Sequence, residues 1–202
     1  MRNITFDLST LHEHGSGFFD YLRLRKRFFV DQLQWDVPHN ENYEMDQYDN
    51  PLAWYSLVVD NGKILGGARV MATSSIWGKH TYMMRDAHDG KLDSIPSNAI
   101  PDGVASPQVW EMTRLVMSDD LEGLDDRRTC LQLICDGCID IVQAHGCCEL
   151  RAMSSLAMLR VLRQVGYPVD RVGDIWRDPG DGRQYSAMKM DLAPVNHAIA
   201  AE

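Results

Sequence analysis

The stretch between residues 54 and 71 constrains the fold of this chain most, because it carries the signature of a tight β-hairpin. Two segments rich in β-forming side chains, 54–59 and 63–71, flank the tripeptide Asp60-Asn61-Gly62. An Asn-Gly pair tolerates the positive φ angles that a two-residue turn between antiparallel strands requires. The sequence therefore predicts a sheet that contains an antiparallel pair at this point.

Hydrophobic periodicity predicts a helix before this hairpin and an alternation of strands and helices after it. The helix is expected over 16–34, where side chains at spacings of three and four share one face. That stripe consists of Phe18, Leu22, Arg25, Phe29 and Leu33. Strands are expected at 109–117, at 148–154, near Val169 and at 185–192, with helices at about 127–145 and 156–165.

This order of elements favours an α/β fold, more closely an α+β mixed sheet with flanking helices. A chain of 202 residues suits one domain, which we expect to span residues 1–202. The proline-bearing stretch 86–107 is interpreted as an excursion within that domain. The amino-terminal stretch, with His12 and His14, is expected to be flexible.

The charge of the chain argues against two classes of partner. Twenty Lys and Arg residues stand against 29 Asp and Glu residues, giving a formal net charge of −9. A general nucleic-acid binder, or a protein held to anionic lipid by bulk charge, needs a net basic field. No apolar stretch approaches the roughly 18 residues of a membrane span, and no targeting signal is seen. We therefore expect a cytoplasmic protein without nucleic-acid or membrane partners.

The five cysteines favour packing over metal binding. Cys135 and Cys138 lie inside a helical pattern, and no spaced quartet of Cys or His follows them. The odd number of cysteines also argues against a disulfide framework. We expect reduced thiols that pack a helix, and no metal site.

Three carboxylates, Glu44, Asp46 and Asp49, crowd into six positions just after the aromatic residues Phe29 and Trp35. A solvated acidic loop is one interpretation of this segment. The other is a pocket for a cationic small molecule, because carboxylates and aromatic faces both stabilise ammonium or sulfonium charge. The residues alone leave both open.

Charged and polar side chains also interrupt the predicted strands. Glu111, Thr113 and Arg114 lie in the otherwise apolar run 109–117, where a charge must find a partner or a water-filled cleft. Glu111 and Arg114 are three apart and point to opposite faces of a regular strand, so joint action requires a bulge or two separate partners. Arg69 follows Gly66-Gly67, a pair that allows another backbone to approach closely.

Together these motifs resemble the LuxI-type acyl-homoserine-lactone synthases, the autoinducer synthases of bacterial quorum sensing. The resemblance is carried by Arg25, Phe29 and Trp35, by Glu44, Asp46 and Asp49, by Arg69, and by the run Glu111-Met112-Thr113-Arg114. It extends from about Leu22 to Met117 and more weakly to about Gly173. One position departs, since His88 stands where the family usually has Phe, and either the loop is shifted or an apolar contact near the acyl site has changed.

The resemblance implies a fold similar to the GNAT acyltransferases, with S-adenosylmethionine as a substrate and no cofactor. It implies that an acyl group passes from an acyl-carrier-protein thioester to the amine of S-adenosylmethionine, and that lactonisation then releases methylthioadenosine. The catalytic candidates are Glu44, Asp46, Asp49, Arg69, Glu111 and Arg114, and the substrate-binding candidates are Arg25, Phe29, Trp35 and Thr113. Ser154 either lines an acyl tunnel or caps the helix that follows it.

Docking of an acidic carrier protein on a chain of charge −9 needs a local basic patch. Between Leu150 and Arg177 five arginines stand against two aspartates, a local excess of +3. Arg151, Arg160 and Arg163 are the docking candidates, with a solvated helix face as the competing interpretation.

Two alternatives to the synthase remain at this stage. One is a GNAT-like N-acyltransferase that uses an acyl-CoA donor or another amine. The stretch 116–128 lacks the glycine-rich pyrophosphate loop of CoA-dependent GNAT enzymes, which lowers the weight of a CoA donor. The other is a non-catalytic module that binds an adenosyl or acyl ligand.

Overall fold

The computed structural model describes residues 1–101 and 103–192, and within these ranges eight strands form one mixed sheet flanked by four α-helices. The strands are β1 (Arg2–Asp7), β2 (Trp54–Asp60), β3 (Lys63–Ala72), β4 (Val109–Met117), β5 (Glu149–Ser155), β6 (Val169–Arg171), β7 (Trp176–Arg177) and β8 (Gln184–Asp191). The helices are α1 (Gly17–Arg25), α2 (Met83–His88), α3 (Leu124–Ala144) and α4 (Leu156–Gln164). The strand order is β1-β2-β3-β4-β5-β8-β6, and β7 pairs with β8. The mixed sheet with flanking helices is as predicted.

The hairpin is confirmed in its turn as well as its strands. β2 and β3 pair antiparallel, with Asp60 opposite Lys63. Asn61 and Gly62 adopt φ angles of 47° and 80°, the left-handed conformation that Asn tolerates and that Gly adopts freely because it has no Cβ. The expected strand at 109–117 pairs antiparallel with β3 and so extends this sheet.

The expectation of a flexible amino-terminal stretch is wrong. β1 is an edge strand paired with β2, and the Phe6 ring stacks on Tyr55 with centroids 5.4 Å apart. Leu11–His14 form a 3-10 turn, and the His14 ring lies 5.0 Å from the Phe6 ring. Pairing and packing with residues far along the chain stabilise β1. Its own six residues therefore give only a weak indication of a strand in the sequence.

The helix expected over 16–34 is present but changes its winding halfway. α1 ends at Arg25, and Lys26–Gln32 form a π-helical segment, after which the Leu33 amide donates to the Phe28 carbonyl at 3.0 Å. The predicted stripe of Phe18, Leu22, Arg25, Phe29 and Leu33 is buried throughout. Such wider turns often accompany functional sites, and this one carries Phe29.

The two larger hydrophobic cores lie on opposite faces of the sheet. On one face α3 and α4 share a core with β2 to β5 and β8, and on the other α1 packs on β1 to β4. Cys130, Cys135 and Cys138 of α3 are buried in the first core, which confirms that they pack a helix. Burial raises the pKa of the Cys130 thiol to about 11.

The sheet opens between β4 and β5. These strands pair in parallel from Val109 opposite Glu149 to Met112 opposite Ala152, but they continue unpaired with each other to Met117 and Ser155. The pairing of β4 with β3 also shifts register there, and Arg114 has a φ of 57°. This is the bulge considered for Glu111 and Arg114, and it lies where β4 and β5 stop pairing with each other.

Among the helices in the described residues, none has both the length and the apolar character needed to cross a membrane.

Candidate active site

A cleft of about 630 Å³ occupies the gap between the diverging ends of β4 and β5. One wall comes from the turn after the first helix and from the Asp46–Tyr48 loop, and another from β5, α4 and the β7–β8 hairpin. Six predicted site residues line it, namely Phe29, Trp35, Asp46, Thr113, Arg114 and Ser154. The other predicted catalytic residues lie behind its wall.

Buried ion pairs form the base of this cleft, beginning with Arg25 at the end of α1. Its Nη1 and Nη2 atoms donate to Oδ1 and Oδ2 of Asp49, both at 2.8 Å, and its Nε donates to Oε2 of Glu44 at 2.6 Å. The Arg25 and Glu44 side chains have no exposed surface. This bidentate arrangement holds the acidic loop against the first helix.

Arg69 on β3 holds the middle of the same loop. Its Nη1 lies 2.6 Å from Oδ1 of Asp46 and 2.9 Å from Oδ1 of Asp49, while its Nε donates to the hydroxyl of Thr113 at 3.0 Å. The Arg69 guanidinium also stacks over the Tyr48 ring, 5.6 Å from its centroid. The three carboxylates therefore face arginines and not solvent, and the interpretation of this segment as a solvated acidic loop is wrong.

Arg114 completes the network and faces the cleft. The β4 bulge directs its Nη2 to 3.1 Å from Oε1 of Glu44 and 2.8 Å from Oδ2 of Asp46. Its guanidinium lies over the Phe29 ring, 5.3 Å from the centroid. Arg114 and Asp46 are thus the charged pair of the network that a molecule in the cleft meets first.

Three guanidinium groups and three carboxylates balance one another in this network. Burial raises the pKa of Asp46, but Arg69 and Arg114 outweigh that effect and the net pKa is lowered. For Asp49, Arg69 and Arg25 likewise outweigh burial and hold the pKa well below its usual range. Both carboxylates stay ionised at neutral pH, so the site is a fixed array of charges formed before any ligand arrives.

Glu111 lies apart from these pairs. Its Oε2 and Oε1 accept hydrogen bonds from the backbone amides of Met83 and Met84 at 2.8 and 2.7 Å, so that the carboxyl group caps the start of α2. Burial raises the pKa of Glu111 to about 7, although the two amides oppose that rise. Met83 in turn places its sulfur 3.7 Å from Nη1 of Arg114.

An aromatic wall continues outward from Arg114. Phe29 and Trp35 stack with centroids 5.1 Å apart, Trp35 meets Tyr185 edge-on at 5.9 Å, and Tyr185 stacks on Trp176 at 5.9 Å. All four rings line the cleft. Tyr185 and Trp176 were missed from the sequence, because only folding of the β7–β8 hairpin brings them to Trp35.

A family model described as autoinducer synthase matches residues 10–190. The chain belongs to the autoinducer synthase family. A relative named acyl-homoserine-lactone synthase, from Aeromonas salmonicida, is 31% identical over 193 residues, covering 89% of this chain and 85% of the relative. The chain is accordingly an enzyme, an acyltransferase with acyl-homoserine-lactone synthase function.

Solved structures show the same fold. The crystal structure of TofI in a ternary complex with an inhibitor and MTA matches with a TM-score of 0.73 and 24% identity, covering 95% of this chain and 91% of TofI. BjaI, described as a CoA-dependent acyl-homoserine lactone synthase, with MTA, matches at 0.74 and 19%, covering 94% and 82%. An acyl-CoA N-acyltransferase from Pseudomonas aeruginosa matches at 0.56 and 12%, covering 93% and 97%, so the GNAT-like fold is confirmed.

In this autoinducer synthase Ser154 and Ser155 divide the two roles considered for Ser154. Ser154 lines the cleft, whereas Ser155 caps α4 by accepting a hydrogen bond from the Met158 amide at 3.2 Å. His88 does not line the cleft, and its Nδ1 lies 3.2 Å from the carbonyl oxygen of Ile100.

The docking candidates of the enzyme do not form one patch. Arg160 and Arg163 lie exposed on α4, and Arg163 also donates to the Val169 carbonyl at 2.7 Å. Arg151 lies on β5 opposite Glu111, on the sheet face away from α4, and donates to Oε1 of Glu149 at 2.5 Å. The geometry therefore separates Arg151 from the other two.

Proposed function

We propose that the enzyme acylates the amine of S-adenosylmethionine from an acyl-carrier-protein thioester and then releases the lactone together with methylthioadenosine. One observation carries the proposal. A balanced, buried ionic network opens onto an aromatic-lined cleft through Arg114 and Asp46 alone among its six members. Such a surface suits a small molecule that carries both charges and a flat ring.

The charges of S-adenosylmethionine match this surface. In the proposed complex its α-ammonium group faces Asp46 and its carboxylate faces Arg114, whose mutual distance of 2.8 Å shows that the two groups are close neighbours. The sulfonium and adenosyl parts lie along Phe29 and Trp35, since aromatic faces stabilise cations and stack on flat rings. Arg25, Arg69, Asp49 and Glu44 hold Asp46 and Arg114 in place.

Acyl transfer needs a neutral amine and a site for the developing oxyanion. An α-amino group titrates near about 8, so a water or another weak base in the cleft suffices to accept its proton. The amine nitrogen attacks the thioester carbon, and the thiol of the donor leaves. Backbone amides in the gap beyond Met112 and Ala152 are the proposed oxyanion donors, because the two strands no longer pair there.

Lactonisation makes smaller demands on the protein. The carboxylate oxygen of the acylated substrate attacks its own γ-carbon, and the carbon–sulfur bond breaks as methylthioadenosine leaves. A sulfonium is already a good leaving group, so the main task is to fold the substrate into a reactive shape. In this proposal Arg114 directs that carboxylate.

Product analysis tests the proposal. The enzyme is incubated with S-adenosylmethionine and a panel of acyl-carrier-protein and acyl-CoA thioesters, and mass spectrometry follows lactone and methylthioadenosine together. We expect both products in equal amounts. Acylation without methylthioadenosine would instead indicate an N-acyltransferase, and ligand binding without turnover would indicate a non-catalytic module.

The Glu44→Gln variant tests the network within this reaction. Its side chain keeps the shape of Glu44 but removes the anion that pairs with Arg25 and Arg114, so we expect turnover to fall by at least about 100-fold. Circular dichroism and a thermal melt check that the variant is folded. Near-normal turnover would remove Glu44 from the mechanism.

The carrier-protein donor rests on Arg160 and Arg163, which present positive charge on α4 while Met158 and Leu162 of the same helix line the cleft. Because BjaI is described as CoA-dependent, the kinetic measurements use both acyl-carrier-protein and acyl-CoA thioesters. We expect Arg160→Glu to raise the KM for the carrier-protein thioester about tenfold without changing that for S-adenosylmethionine. Arg128→Glu, an equal change of charge at an exposed position of α3, is the control. An unchanged KM in Arg160→Glu would contradict docking at α4.

A further inference from the structure

The outer half of the aromatic wall is fixed by a carboxylate that neither the motifs nor the ionic network includes. Oδ2 of Asp181 accepts a hydrogen bond from Nε1 of Trp35 at 3.1 Å and another from the hydroxyl of Tyr185 at 2.5 Å. Trp35 and Asp181 are 146 positions apart in the sequence. One carboxylate oxygen thus joins the turn after the first helix to the β7–β8 hairpin.

Asp181 is itself held in one orientation. Its Oδ1 accepts a hydrogen bond from the Arg183 amide at 2.8 Å, and its own amide donates to Oδ1 of Asp178 at 3.1 Å. Burial raises the pKa of Asp181, but hydrogen bonds from Tyr185, Arg183 and Trp35 lower it overall. The bonds to Trp35 and Tyr185 are therefore charge-assisted at neutral pH, and they fix both ring planes.

Trp35 sits at the centre of the wall that Asp181 organises. Its indole stacks on Phe29 at an interplanar angle of 24°, and Tyr185 meets it at 63°. Within the described residues Asp181 is the hydrogen-bond acceptor of the indole N–H, and without it the ring plane is held by packing against Phe29 and Tyr185 alone. A flat ligand would then have to order the indole on binding, which costs affinity.

We infer that Asp181 is a positioning residue for S-adenosylmethionine, acting through Trp35. The inference rests on the proposed function, because it assigns the adenosyl end of that substrate to the wall. Asp181 fixes the indole plane before the substrate arrives and joins the two sides of the cleft mouth. It contributes to recognition of S-adenosylmethionine and not to recognition of the acyl donor.

The kinetic test uses Asp181→Ala and Asp181→Asn in the full-length enzyme. For Asp181→Ala we expect the KM for S-adenosylmethionine to rise about tenfold, because a charge-assisted hydrogen bond is lost. The kcat and the KM for the acyl thioester should change less than about twofold. Asp181→Asn keeps an acceptor oxygen and should restore part of the loss. Asp174→Ala, which removes an exposed carboxylate between β6 and β7, is the matched control.

A double-mutant cycle tests the route through Trp35. Trp35→Phe keeps the aromatic face but removes the N–H that Asp181 accepts. If Asp181 acts through that N–H, adding Asp181→Ala to Trp35→Phe should change the KM for S-adenosylmethionine by less than about twofold. Full additivity of the two effects would overturn the inference, as would an equal loss in both KM values and kcat, which marks a general loss of structure.

Nuclear magnetic resonance separates this inference from the proposed function. The indole cross-peak of Trp35, assigned by its absence in Trp35→Phe, should move upfield in Asp181→Ala and stay in place in Asp174→Ala. If the cross-peak moves but the wild-type enzyme makes no lactone from S-adenosylmethionine, the proposed function fails and the contact stands. If lactone is made and the KM in Asp181→Ala is unchanged, the positioning role is refuted.

Discussion

At the scale of single residues, the site depends on charges that neutralise one another inside the protein. Arg25 and Arg69 are at most 1% exposed, yet each meets at least one carboxylate through two nitrogens. Removing one member of such a pair leaves an uncompensated buried charge and costs about 3–5 kcal/mol. Glu111 differs, because its partners are backbone amides and its pKa moves upward.

Glu111 should make stability depend on pH in a particular direction. The pKa of Glu111 is about 7 in the folded protein, against a reference value of 4.5. Between pH 4.5 and about 7, Glu111 is therefore protonated in the folded state but ionised in the unfolded chain. The stabilisation is therefore complete below about pH 4.5 and is lost as the pH rises through about 7, a change of about 3 kcal/mol.

The measurement is urea unfolding of the wild type and Glu111→Gln between pH 4.5 and 8. The wild type should lose stability relative to Glu111→Gln across that interval, because Gln does not ionise. Glu122→Gln, a change at an exposed position before α3, controls for net charge. Parallel pH profiles for the wild type and Glu111→Gln would show that Glu111 does not titrate in this range.

At the scale of elements, Gly66 and Gly67 let helices approach both faces of β3. A Cβ on Gly66 would lie 2.8 Å from the Val116 carbonyl oxygen and 2.9 Å from a methyl group of Ile134 on α3. A Cβ on Gly67 would lie 3.1 Å from the Tyr21 ring on α1. The sequence prediction of close approach at this pair is thus confirmed.

Gly66→Ala should destabilise the fold by about 1–3 kcal/mol, because the Val116 carbonyl belongs to the neighbouring strand and cannot move aside cheaply. The check is the free energy of unfolding from urea denaturation. Gly123→Ala is the comparison, since a Cβ there meets nothing closer than 3.6 Å and the φ angle is −89°. Equal stabilities of the two variants would contradict tight packing of α3 on β3.

At the scale of the whole molecule, two cores share one sheet, and the cleft lies where that sheet opens. Val58 belongs to the core under α3, while its neighbour Leu57 belongs to the core under α1. Strands β2, β3 and β4 contribute side chains to both cores. Loss of β2 or β3 would therefore expose both cores at once.

The single domain predicted from length should unfold in one step. The five tryptophans are spread from Trp35 to Trp176, so fluorescence reports on both walls of the cleft, while far-ultraviolet circular dichroism reports on the helices and strands. We expect the two urea transitions to coincide. Separate midpoints would show that parts of the chain unfold independently.

Local patterns predicted most of the elements and the family but not the shape of the site. Asn61-Gly62 specified its turn through backbone sterics, and the stripe from Phe18 to Leu33 specified a helix through spacing. Three features depended on distant partners instead: the edge strand β1, the bulge at Arg114, and the hairpin that carries Asp181. No short window of sequence contains the contacts that stabilise them.

The sequence by itself determined which charges the site holds, because Glu44, Asp46, Asp49, Arg25, Arg69 and Arg114 are fixed by their spacing within the family pattern. Only the tertiary structure decided which of them face the cleft. Burial makes every guanidinium find a carboxylate, and the bulge of β4 leaves Asp46 and Arg114 at the surface of the cavity. The tertiary structure also decided that Arg151 lies apart from Arg160 and Arg163. Side chains alternate along β5, and Leu150 packs on the face that α4 covers, so its neighbour Arg151 lies on the opposite face of the sheet.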